Sequence, residues 1–277
     1  MLIWGINIPN DVLASDSLEY LRSLPANLPA VEWVWQEMDR VWFQIGLNHS
    51  LPFSSKKIDE FYSHPVWVMN GLFTMVDPVS VGHRRSIASY LTLFGCNTLA
   101  DYGGGFGSLA REITQQSTDT CVSIVEPYPS CLAKYLLQES EYIKFTPELS
   151  TSMHYDAVVV QDVLEHVEDP VGLAFSLATA VRPGGLLIFA NCFYPVIQCH
   201  LPDTFHLRHT FPYVMRSMGL EFLGRIPGAE HAMIFRKKSE LFLKAGRRME
   251  RISKMFDPLL NAAHPLITQL LRLKKSR

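Results

Sequence analysis

Apolar residues in the first part of the chain recur at helical spacing, whereas further on they gather into short unbroken runs. Between Ala30 and Leu47, the residues Val31, Val34, Trp35, Met38, Val41, Trp42 and Ile45 repeat at close to 3.6 positions, which predicts one amphipathic helix. Asp16 or Ser17 caps a shorter helix ending near Leu24. Ser63 to Met75 continues as a helical stretch interrupted near Pro65, and Val79 to Phe94 forms a last helix before the pattern changes. From there the apolar runs Leu99-Ala100, Cys121 to Val125, Ala157 to Val160 and Leu186 to Ala190 read as strands buried on both faces, as in a parallel sheet. A helix over Pro212 to Met218, ended by Gly219, then leads into two strands, Leu220 to Arg225 and His231 to Arg236, which pair as a hairpin around Ile226-Pro227-Gly228-Ala229.

The first strand runs into Asp101-Tyr102-Gly103-Gly104-Gly105-Phe106-Gly107, and helix-forming residues follow. Glycines at 103, 105 and 107 allow backbone angles barred to other residues and let a ligand come close to the main chain. The second strand ends on Glu126, at the position where a nucleotide-binding α/β fold holds the hydroxyls of a ribose. Gln161 and Asp162 close the run Ala157 to Val160, on the carboxyl edge where such sheets bind ligands. A dinucleotide loop spaces its glycines as Gly-x-Gly-x-x-Gly; this one does not, which favours a nucleoside ligand with no pyrophosphate.

Over residues 80 to 236 these motifs, with Leu164-Glu165-His166-Val167-Glu168-Asp169-Pro170 and Arg182-Pro183-Gly184-Gly185-Leu186-Leu187, resemble the class I S-adenosylmethionine-dependent methyltransferases. Within that family the chain is most similar to the small-molecule branch that includes the ubiquinone-pathway O-methyltransferases. The resemblance implies an α/β fold with a Rossmann-like, seven-stranded, mostly parallel sheet, a helical N-terminal cap over residues 1–79 and a helical C-terminal tail over 237–277. It implies S-adenosylmethionine as cofactor, with Asp101, Gly103, Gly105 and Gly107 at its methionine and ribose end. Glu126 would take the ribose hydroxyls, and Gln161 and Asp162 would border the methionine end. The expected reaction is methyl transfer to an oxygen or nitrogen of a small biosynthetic molecule. The alternatives are methylation of a protein or RNA, and a nicotinamide-dependent oxidoreductase of Rossmann type.

The sulfonium brings its own reactivity, so the protein must supply position, dryness and, for a protonated nucleophile, a base. His166, just past the fourth strand, has the ordinary imidazole range suited to a base at neutral pH. His206 and His209, in the segment after the fifth strand, are the other catalytic candidates, because similar His-Leu-Arg segments face the substrate in the resembling branch. Asn191, Phe193 and Tyr194 are lesser candidates for the acceptor pocket. No metal is assigned. Asp162, Glu165 and His166 do fall at i, i+3 and i+4, which on a helix would stack them on one face, with His206 or His209 as a fourth ligand. Some family members bind metal through a Glu-x-x-Glu-His form of this string; here the first position is Asp.

Composition adds three constraints. With 277 residues and 48% hydrophobic content the chain can bury one large core, and Trp33, Trp35 and Trp42 read as part of the packing. Five cysteines at no metal-like spacing argue against a disulfide framework, and the absence of a signal-peptide pattern adds to the expectation of a cytoplasmic enzyme. No apolar run approaches the roughly 18 to 20 residues needed to span a bilayer. Residues 236–277 carry 12 Lys or Arg against 3 Asp or Glu, while the preceding residues hold 13 against 24. An acidic body makes a poor platform for a phosphate backbone, so no nucleic-acid partner is expected. Asp257-Pro258 and His264-Pro265 predict a tail of two or three helical pieces, ending in a solvated cluster from Arg272 to Arg277. Ile252, Met255, Phe256, Leu259 and Leu260 form an apolar stripe beside Arg247, Arg248, Arg251 and Lys254. The first expectation for that stripe is packing on the N-terminal helices or a dimer contact; the second is an anionic membrane surface.

Overall fold

The computed structural model describes residues 1–52, 55–150, 154–238 and 240–275, with side chains to Ala262 in the last helix. After a two-residue N-terminal hairpin, five helices follow: α1 Ser15–Arg22, α2 Val31–Ile45, α3 Lys56–Ser63, α4 Pro65–Val76 and α5 Pro78–Leu93. The sheet then alternates with helices: β1 Thr98–Tyr102, α6 Ser108–Gln116, β2 Cys121–Val125, α7 Cys131–Leu137, β3 Ile143–Thr146, β4 Tyr155–Gln161, α8 Pro170–Ala180 and β5 Val181–Ala190. After these come α9 Phe211–Ser217, β6 Leu220–Ile226, β7 Ala229–Lys237 and α10 Leu243–Lys275.

The seven strands lie in the order β3-β2-β1-β4-β5-β7-β6. All neighbours pair in parallel except β5 with β7 and β7 with β6. This is the Rossmann-like, mostly parallel sheet expected from the motifs. Alternation along β4 sends Ala157 and Val159 into the core shared with α5 and α6, and Val158 and Val160 into the core shared with α8 and α9. Both faces are therefore covered, which is why the strands read as continuous apolar runs. The Arg182-Pro183-Gly184-Gly185 turn is a bulge within β5: Val181 already pairs with Tyr155, and regular pairing resumes at Leu186 opposite Ala157. Gly184 takes φ +80° there.

Prolines set the helix starts: Pro65, Pro78 and Pro170 each open a helix, where a missing N–H costs nothing. The interruption expected near Pro65 is thus a boundary between α3 and α4. A third core packs α1 to α4 together and reaches the sheet domain through Phe106, Leu132, Ala133 and Cys199.

The tail differs from expectation in two ways. Neither Asp257-Pro258 nor His264-Pro265 divides it; both fall inside α10. The carbonyl left without a partner by Pro258 belongs to Lys254, an exposed turn where water can take the bond. The stripe of Ile252, Met255, Phe256 and Leu259 is not a packing face but points outward. The opposite side of α10, with Leu243, Met249, Glu250 and Ser253, packs instead against α8, α9 and the 3-10 turn Pro202–Leu207. The side chains of the Arg272 to Arg277 cluster lie outside the described residues. Among the described residues no helix is long and apolar enough to cross a membrane.

Candidate functional site

Parallel register places four chemically distinct segments along one edge of the sheet. Tyr102 pairs with Val125 and Val160, and Gln161 pairs with Ala190. The residues that follow, the glycine loop, Glu126, Asp162 and Asn191, therefore emerge side by side. The crossover direction reverses between β1 and β4, so this edge is the topological switch point of the sheet.

The loop glycines serve different purposes. A side chain on Gly103 would strike Val163 at 2.4 Å, one on Gly104 would strike Asp101 Oδ2 at 2.5 Å, and one on Gly107 would strike Ile124 and Leu137 at 2.5 Å. These three are glycines because protein packs against them. Gly105, at φ +50°, faces open space: no protein atom lies within 4 Å of a Cβ added there. The Gly105 N–H donates to Glu126 Oε2 at 3.1 Å, and the Tyr128 N–H donates to Glu126 Oε1 at 3.2 Å. Burial raises the Glu126 carboxyl, and those two N–H donors oppose it.

Asp101 is buried to 3% exposure and its Oδ2 has no hydrogen-bond partner. Burial first, and then the neighbouring Glu126 charge, lift its pKa to about 7 against the pull of Arg84. Arg84, on α5, is itself buried and donates to the Thr74 carbonyl.

A second cluster lies past β4, where the sequence suggested a helical face. Leu164–His166 is only a 3-10 turn, and Asp162 precedes it in the left-handed region at φ 50°. The i, i+3, i+4 stack of Asp162, Glu165 and His166 is therefore not formed. The group that does assemble is Glu165, His166 and His200, with one donor atom from each within 4.8 Å of the others. The His166 Nδ1 lies 3.1 Å from the Cys199 carbonyl and the His200 Nδ1 lies 2.7 Å from that of Tyr194. A carbonyl only accepts, so each ring carries its proton on Nδ1 and keeps Nε2 as an acceptor. Glu165 Oε1 accepts from the Cys192 N–H at 2.6 Å, and Oε2 is buried without a partner. A carboxylate and two imidazoles can hold a divalent cation of the kind that takes nitrogen and oxygen donors.

Burial, and then the nearby His200, push His166 down to about 3, so it does not keep the ordinary imidazole range. Burial, and then the Asp162 charge, raise Glu165 to about 8. Both side-chain polar atoms of Asn191 are also buried without partners. An aromatic wall from the N-terminal helices stands over this region. Trp67 meets His166 edge-on at 6.4 Å, and Tyr62 stacks on Trp67 at 5.2 Å and on Tyr128 at 6.5 Å.

His206 and His209 sit elsewhere, against α10. His206 Nε2 lies 3.5 Å from Glu250 and His209 Nε2 lies 3.2 Å from Asn261 Oδ1. Arg208 lies over the Tyr194 ring at 4.0 Å and donates to the Phe193 carbonyl. His200 and Trp67 did not stand out in the sequence. The one available signal was that His200 belongs to the histidine-rich segment after β5.

Residues 82–225, just over half of the chain, match the family described as methyltransferase domain. The chain belongs to that family. This methyltransferase-domain protein is 30% identical over 150 residues to the ubiquinone biosynthesis O-methyltransferase of Aliivibrio fischeri (strain MJ11), covering 50% of this chain and 62% of that one. It is 28% identical over 155 residues to the enzyme of that name from Escherichia coli (strain K12 / DH10B), covering 52% and 63%. The chain thus spans less than two-thirds of the length of these relatives. Among solved structures, human N-acetylserotonin methyltransferase in complex with SAM superposes with a TM-score of 0.54 at 17% identity, covering 81% of this chain and 70% of that one. That likeness is one of fold.

Proposed function

We propose that the chain transfers a methyl group from S-adenosylmethionine to an oxygen or nitrogen of a small molecule. The observation that carries this reading is the open space at Gly105, whose N–H donates to the Glu126 carboxylate, next to a loop that also buries the unpartnered Asp101 Oδ2 against Gly104. The residues fit the cofactor: Asp101 and the loop glycines would hold its methionine and ribose end, Glu126 the ribose hydroxyls, and Gln161 and Asp162 the methionine border. When bound, the cofactor supplies an electrophilic methyl on a sulfonium. The protein's own part is to aim the acceptor, keep water out and take a proton where one must leave.

Asn191, with its two unpartnered polar atoms, orients the acceptor by hydrogen bonds, and Tyr62, Trp67 and Tyr128 roof the site. Of the three residues expected to be catalytic, His166 stays in the acceptor site as a neutral hydrogen-bond acceptor. Glu165, near 8, is better matched to proton transfer near neutral pH than an imidazole near 3. His206 and His209 instead hold α10 in place through Glu250 and Asn261. In this arrangement residues 1–79 act as cap and 80–236 as catalytic core. Five unpaired cysteines support a reducing, cytoplasmic setting.

Titration calorimetry of the full chain with S-adenosylmethionine is the test. Binding is expected, and Glu126→Ala should weaken it by roughly 10- to 100-fold, the value of one or two charge-assisted hydrogen bonds, with the melting temperature unchanged. Equal affinity in the variant, or thermal stabilisation by a nicotinamide dinucleotide in place of S-adenosylmethionine, would overturn the assignment.

A further inference from the structure

Helix α10 has apolar residues on two sides. Its inner side packs Leu243 and Met249 on the core beneath α8 and α9, beside the polar Glu250 and Ser253, which are 7% and 2% exposed. Ser253 Oγ donates to the His206 carbonyl at 2.7 Å, Arg247 pairs with Asp169, and Asn261 Oδ1 accepts from Arg208 at 3.4 Å. Gly246 lets the helix settle on Met218, whose Cγ would lie 2.3 Å from any added Cβ. Its outer side carries Ile252, Met255, Phe256 and Leu259, which are 38%, 69%, 45% and 65% exposed. These fall at i, i+3, i+4 and i+7, so they form one stripe. Lys244, Arg248 and Arg251, all exposed, continue the same ridge toward the start of the helix, and Lys254 flanks it. From Lys244 to Leu259 the ridge is about 23 Å long at the helical rise per residue.

Four large apolar side chains left in solvent on one ridge, while the other side of the helix already packs on the core, mark a surface that meets something outside the protein. We propose that this ridge docks on the surface of an anionic lipid bilayer, the apolar stripe entering the acyl boundary and the cations meeting the headgroups. The charge arrangement selects this occupant. Among the described side chains of α10 the two carboxylates are taken up within the fold, Glu250 by His206, Arg247 and Lys254, and Asp257 by Asn261, which leaves Lys244, Arg248 and Arg251 as the cations of the ridge. The ridge therefore presents cations with apolar residues and no opposing acid. An antiparallel two-fold contact between copies centred on the stripe would give the cations no acid to meet, because the chain carries none beyond Asp257. A nucleic acid would leave four large apolar side chains unused.

The experiment is co-sedimentation of the full chain with vesicles of phosphatidylcholine alone and of phosphatidylcholine with a third phosphatidylglycerol. Binding is expected to the second and not the first, and to fall as salt rises. Met255→Glu with Leu259→Glu should reduce binding by roughly tenfold or more. Arg248→Gln with Arg251→Gln should reduce it by about fivefold per cation removed. All four side chains are exposed, so S-adenosylmethionine affinity and the circular dichroism spectrum should not change in either variant. Failure of the wild-type chain to bind anionic vesicles overturns the proposal, as does unaltered binding of the Met255/Leu259 variant. Light scattering supplies the remaining outcome: a wild-type dimer that the same variant dissociates would make the ridge a contact between copies and refute the lipid assignment.

Discussion

Asp101→Asn keeps the shape of the side chain while removing its charge, and the structure sets the size of the effect. Burial and the Glu126 charge hold the Asp101 carboxyl near 7, against an ordinary value of 3.8. A carboxyl whose folded pKa lies above its unfolded one binds the extra proton in the folded state, so the wild type loses stability as pH rises between the two values. At about 1.4 kcal/mol per pH unit, the loss amounts to about 4 kcal/mol by pH 7 and is constant above that. The amide side chain of the variant has no such dependence. Its own unpartnered polar atoms cost about 1 to 3 kcal/mol at every pH, which offsets the curve without tilting it. Urea denaturation of both proteins from pH 4 to pH 8 should thus favour the wild type at low pH, with the variant gaining steadily on it as pH rises. Calorimetry should show that the same variant binds S-adenosylmethionine much more weakly, since a cationic ligand loses its counter-charge. Parallel pH curves for the two proteins would refute the account of Asp101 as a buried carboxyl held ready for a cation.

Gly105→Val and Gly103→Val both force a β-branched residue to positive φ, which costs each about 1 to 2 kcal/mol; Gly103→Val should lose about 1 to 3 kcal/mol more because it collides with Val163, while Gly105→Val should abolish cofactor binding, and thermal melts and calorimetry on both variants distinguish a ligand cradle from a packing contact. Glu165, held near 8 by burial and Asp162, lowers stability as pH climbs from its unfolded value toward 8. Glu165→Gln should flatten that decline and, once an acceptor is known, reduce kcat by roughly 100-fold or more with little change in KM; a wild-type stability curve already flat up to pH 8 would show that Glu165 does not hold a proton.

The sheet and the segments along its carboxyl edge could be read from the chain because their signals are local. Ala157 to Val160 announces a doubly covered strand by itself, and Asp101, Gly103, Gly105, Gly107 and Glu126 lie at strand ends whose order in space follows their order in sequence. The strand Ile143–Thr146 escaped notice because it has four residues, of which one is buried. The acceptor side was harder to read. His200 reaches Glu165 only because the Leu201 N–H donates to the Glu165 carbonyl and the Cys192 N–H to its side chain. Those bonds join residues about thirty positions apart, and no periodicity marks them. The tail departs from expectation for a related reason: an apolar stripe predicts burial only when nothing else claims the inner side, and here Leu243, Met249, Glu250 and Ser253 claim it.

Phe106 sits between Gly105 and Gly107, yet its ring is buried among the N-terminal helices, in a notch that exists because position 71 of α4 is glycine. An added Cβ there would lie 2.2 Å from the ring. Under the proposed function, the helices over the site and the loop that would hold the nucleoside share this one contact, so a change that dislodges Phe106 from its notch would disturb both at once.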